Sequence, residues 1–119
     1  MESFDGVIHL TTPIPKAEIE RISQRRFGDM IKAVVDIQKR TMAIGGELHA
    51  DEEQLLLDHG SVQRSLWGIN IYHGLGRHEW IEFDSMINIR PSQGNRSRTV
   101  EDEAVRKQIV EIVNVLIED

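Results

Sequence analysis

Arg90, Arg96 and Arg98 fall within the short stretch Arg90-Pro91-Ser92-Gln93-Gly94-Asn95-Arg96-Ser97-Arg98. Guanidinium forks and the backbone N–H groups of a glycine-containing loop are the chemistry that grips a phosphate or carboxylate, more so with a helix N-terminus behind them. A competing reading lies next door. Thr99 opens a capping box with Asp102, and Glu101, Asp102 and Glu103 fill the first helical turn, so those carboxylates can neutralise the arginines internally. The stretch resembles neither a Walker loop nor a dinucleotide fingerprint, and no cofactor is expected. Asn95-Arg96-Ser97 has the form of a glycosylation acceptor, which matters only in a secreted chain.

Glu82 and Asp84 are the second candidate pair, two carboxylates on alternate positions of an expected strand. Such a pair can hold a divalent metal or supply an acid and a base to a phosphate ester. Gly46-Glu47-Leu48-His49-Ala50-Asp51-Glu52-Glu53 is the third cluster. Its spacing does not force the acids to converge, so it reads as a structural His49 followed by acids that favour the positive end of a helix. His59 falls at the far end of that helix, where a dipole partner is the expected role. No serine lies in a nucleophile elbow, so a hydrolase triad is not expected. With no cysteine there is no disulfide, thiolate nucleophile or cysteine-type zinc site.

These residues need elements to position them. Lys16 to Phe27, after Pro13 and Pro15, reads as a helix stopped by Gly28. Met30 to Ile37 and Arg40 to Ile44 read as strands turned at Gln38 and Lys39. Ala50 to His59 is a helix with Gly60 just past its end. Leu66 to Tyr72 and Trp80 to Ile89 are two further strands, and a last helix runs from about Val100. A strand at Val7 to Leu10 would make a fifth. Short connections predict antiparallel pairing. The fold class is therefore α+β: a mainly antiparallel four- or five-stranded sheet with about three helices, mostly on one face, in a single domain over residues 1–119, with 1–14 peripheral.

Alternation sorts each strand into two faces. Ile31, Ala33, Val35 and Ile37, then Trp67, Ile69 and Ile71, then Ile81, Phe83, Ile87 and Ile89, form the core set. The opposite face collects Lys32, Asp36, Asn70, Tyr72, Glu82, Asp84, Asn88 and Arg90. One reading is a solvated sheet face with cross-strand ion pairs; the other is a ligand site beside the arginine loop, with Asn95, Arg96 and Arg98 joining that set. Trp67 and Trp80, at strand starts, are expected in the core.

The chain has 119 residues, 39% of them hydrophobic and 29% charged, as one globular domain would. Its net charge of −6 argues against broad nucleic-acid binding, which draws on many Lys and Arg contacts to phosphate. No apolar run approaches a membrane span, and the acidic start Met1 to Asp5 lacks a basic signal region, so a cytoplasmic protein is expected. Val110, Val115 and Ile117 widen the apolar stripe of the last helix, which either a homodimer contact or burial within the chain would explain.

The strings GELHADEE (46–53), LWGINIY (66–72) and INIRPSQGNRSR (87–98), with Gly28 to Asp36 and Gly60-Ser61, resemble a bacterial family of uncharacterised short proteins, the domain of unknown function numbered 5674. The resemblance covers residue 15 to the end and implies one compact unit, without bringing an activity, cofactor or site residue. The residues themselves lead to two expectations. The first is a non-enzymatic regulatory or interaction protein that binds an acidic or phosphorylated partner, protein or small molecule, through Arg90, Arg96 and Arg98. The alternative is a small metal-assisted or phosphate-ester enzyme built on Glu82 and Asp84.

Overall fold

The computed structural model describes residues 6–119, and the acidic start Met1 to Asp5 lies outside them. Along the chain come β1 (Ile8–Leu10), β2 (Ile14–Pro15), α1 (Lys16–Ser23), β3 (Ile31–Asp36), β4 (Thr41–Ile44), α2 (His49–Asp58), β5 (Leu66–Ile71), β6 (Ile81–Glu82), α3 (Glu103–Leu116) and β7 (Ile117–Glu118). A five-stranded antiparallel sheet has the order β1-β4-β3-β5-β6, and β2 pairs with β7 in a separate parallel ribbon. The fold is thus α+β with three helices.

Alternation builds the core as expected on one face. Ile31, Ala33 and Val35 of β3 line up with Met42 and Ile44 of β4 and with Trp67, Ile69 and Ile71 of β5. Ile19 and Ile22 of α1 and Ile109, Ile112, Val113 and Leu116 of α3 close over them. The other face is apolar only at its centre, where Val34, Ala43 and Leu66 receive Leu55 and Leu56 of α2. This second, smaller core explains why Ala33-Val34-Val35 is apolar at every position: both faces of β3 are covered there. Two helices lie on one face and one on the other.

Local chemistry sets the turns. Asp36 is buried, and its Oδ1 accepts the N–H groups of Gln38 and Lys39, both at 2.9 Å, closing the β3–β4 hairpin without an Asn-Gly pair. Gly60, at φ +93°, ends α2 in the left-handed region, so Ser61 N–H reaches Leu56 O at 2.9 Å and Gly60 N–H reaches Leu57 O at 3.0 Å. Asp36 Oδ2 then accepts the Ser61 hydroxyl at 2.6 Å and ties the two turns together.

Four expectations are corrected. The stretch Trp80 to Ile89 is not one strand: β6 stops at Glu82, and Ser85 Oγ accepts the Ile87 N–H at 3.2 Å, capping a 3-10 turn at Met86–Asn88. Strand parity therefore fails beyond Glu82, leaving Ile89 exposed and Asn88 buried. α3 begins at Glu103 rather than near Val100, capped by Asp102, whose carboxylate accepts Ala104 N–H at 2.8 Å. Thr99 is not the cap; its Oγ1 accepts from Arg106 at 3.0 Å. α1 ends at Ser23 instead of Phe27. The strand expected at Val7 to Leu10 forms as β1, Ile8–Leu10, at an edge of the sheet. Of the residues widening the α3 stripe, Ile117 is buried in β7 while Val110 and Val115 are exposed. No helix among the described residues is long and apolar enough to cross a membrane.

Candidate functional site

One cross-strand row carries the site. Lys32 of β3 faces Asn70 of β5, which faces Glu82 of β6, so three neighbouring strands present polar side chains side by side on the face that α2 covers only in part. Beyond the row lie Tyr72, just past β5, and Asp84, just past β6. Leu48, His49 and Ala50 at the start of α2 and Ser85, Met86 and Ile87 of the 3-10 turn close the sides. Met30 and Arg98 complete a cleft of about 490 Å³. Lys32, Asn70, Tyr72, Glu82, Asp84 and Arg98, each expected at a site, meet here.

Gly68 sets the floor. A Cβ there would stand 2.6 Å from the Ser85 Cβ, so only glycine lets the 84–88 segment lie against β5. Asn88 uses the same approach: its Oδ1 accepts Gly68 N–H at 2.8 Å and its Nδ2 donates to Gly68 O at 3.0 Å. Its side chain thus takes the place of a strand where β6 has ended.

Polar groups in the cleft are oriented by each other. Asn70 Nδ2 donates to Glu82 Oε1 at 2.8 Å and to Asp84 O at 3.3 Å. Tyr72 also donates to Glu82 Oε1, at 3.3 Å; partial burial and then the Glu82 charge push its phenol above the ordinary value. Arg98 grips Asp84 through Nε–Oδ1 at 2.6 Å, a pair with side chains 53% and 41% exposed. An ion pair so open to water contributes little and can exchange partners. His49 lies buried with Nε2 at 2.8 Å from Ile69 O; a carbonyl only accepts, so Nε2 carries the proton. Burial lowers its pKa, keeping the ring neutral. The expected structural role fits this placement.

The remaining candidates point elsewhere. Arg90 stacks on Trp67, 4.3 Å from the ring centroid, and donates to Gln63 O at 2.6 Å and to Leu66 O. Asn95 is buried, its Nδ2 donating to Asn88 O at 2.8 Å and Thr99 O at 2.7 Å, and its Oδ1 accepting Glu101 N–H at 2.9 Å. Arg96 is exposed. The loop does offer N–H groups to an anion, but Glu101 occupies them: its Oε2 accepts Arg96 N–H at 3.0 Å, Ser97 N–H at 2.9 Å and the Ser97 hydroxyl at 2.6 Å. Those bonds, the Ser97 hydroxyl foremost, lower the Glu101 pKa. Arg90, Arg96 and Arg98 are thus each placed in a different setting.

Among the described residues no group of three or more His, Asp or Glu side chains is arranged to hold a metal ion. Two features went unread in the sequence. Met30, Leu48, Met86 and Ile87 line the cleft, although nothing in their spacing marks them. Glu52, read as a helix-start acid, is fully buried; its Oε2 accepts Gly46 N–H at 2.9 Å while Oε1 has no partner among the described residues.

No curated protein and no solved structure matches the chain significantly. The family model described as Protein of unknown function (DUF5674) matches residues 8–116, and the chain belongs to that family.

Proposed function

We propose that this protein is a small interaction or regulatory module that binds its ligand in the cleft between the start of α2, the Lys32-Asn70-Glu82 row and the 84–87 turn. The observation that carries this reading is the junction of an oriented polar row with exposed apolar side chains, Leu48 at 53% and Met86 at 64%. A concave site with a few placed polar groups and an adaptable methionine wall is what ligand recognition uses. The cations of the cleft are already engaged, Arg98 with Asp84 and Lys32 over the Phe27 ring, and Arg96 lies outside it. Arg90 is committed to backbone carbonyls, which favours the cleft over the arginine loop as the binding site.

The test uses methionine methyl resonances. Met30 and Met86 line the cleft and Met42 is buried in the core, so a fragment mixture should move the first two signals and leave the third in place. Binding that moves other parts of the molecule and neither cleft methionine would overturn the proposal.

A further inference from the structure

We infer that the cleft takes a protonated amine or guanidine on an aliphatic stem, an inference that rests on the cleft being the binding site. Asn70 is only 6% exposed and lines the cleft. Its amide orientation is fixed, because both neighbours of Nδ2, the Glu82 carboxylate and the Asp84 carbonyl, accept. That fixes Oδ1 as a buried acceptor, and it has no donor among the described residues. A buried acceptor left unmet is rare in folded chains and asks for a donor.

The neighbouring charge agrees. Glu82 is held by Asn70 and Tyr72, both neutral, and forms no ion pair among the described residues. Its carboxylate is exposed and already oriented, whereas Asp84 is matched by Arg98. The ammonium of Lys32 lies 5.4 Å from the Phe27 ring centroid, a cation–π contact. The row therefore ends in an oriented carboxylate and an unmet amide oxygen, with Leu48 and Met86 exposed beside them. A donor-only cationic head with an apolar stem satisfies both halves; a phosphate brings acceptors to acceptors and charge against Glu82. A free alkylamine and a lysine side chain of a partner share this chemistry.

Four probes decide it, each followed through the Met30, Met86 and Met42 methyl signals: n-butylammonium chloride, N-acetyl-lysine methylamide, n-butanol and sodium phosphate. Either amine should shift Met86 and Met30 saturably, and n-butanol, with the same stem and no charge, should bind at least about tenfold more weakly. Glu82→Gln should remove about tenfold of amine affinity and leave n-butanol unchanged, and added salt should weaken the amine alone. The tighter of the two amines identifies the source. Shifts from phosphate or n-butanol as strong as those from the amines would overturn the cationic ligand while leaving the cleft as a binding site. Silence from all four probes would remove both.

Discussion

Glu52 and Glu82 show how far one residue type is remade by its surroundings. Glu82 is exposed and oriented by neutral donors, whereas Glu52 is sealed under α2 with a single N–H for company. Burial holds the Glu52 carboxyl well above its ordinary value of 4.5, so it is protonated in the fold over a range where the unfolded chain has released that proton. The folded state then binds more protons than the unfolded one, and stability falls as pH rises from 4.5 toward the raised pKa. The slope from this one group is at most ~1.4 kcal/mol per pH unit. Glu52→Gln, neutral and near-isosteric, should flatten that fall in urea unfolding followed between pH ~4.5 and ~8. An unaltered slope in the variant would mean that Glu52 is charged in the folded protein.

Elements decide which of the sequence's signals survive. Alternation in β3 and β5 brought Lys32, Asn70 and Tyr72 to one face because both strands run regularly through six residues, and the short pairing of β6 with β5 set Glu82 beside Asn70. The same logic carried past Glu82 misplaced Asn88 and Arg90, since Ser85 caps a 3-10 turn and period two no longer applies. An Asp-Ser pair ahead of Met86 is the one local signal of that break. Gly68 reads as an ordinary strand glycine until the segment lying on it is known. The 90–98 loop was legible as an anion cradle with Glu101 among the chain's own acids beside it; that Glu101 would take backbone N–H groups rather than a guanidinium was not. Glu101→Ala should therefore strengthen phosphate binding at the loop, seen as larger shifts of the Arg96 and Ser97 amide resonances than in the native protein. Equal phosphate binding by native and variant protein would show that the carboxylate does not guard the cradle.

For the whole molecule, the central fact is that the sheet is covered on both sides. α1 and α3 pack over the larger core on one face, and α2 covers only the middle of the other, which is why a cleft exists beside its first turn. The apolar excess noted in α3 is partly consumed by the β2–β7 ribbon, leaving Val110 and Val115 as the exposed remainder on which a dimer would have to draw. A cover lying over only part of a sheet is fastened unevenly. His49, bonded to Ile69 O, anchors the first turn of α2 beside the cleft, whereas the last turn is secured by Gly60 and Ser61 far from it. Occupancy should thus slow deuterium uptake by the amides of residues 51–53 and leave those of 59–61 at their native pace, so that exchange timed along a single helix reports a filled cleft. Uniform slowing from end to end would instead mark a global gain in stability.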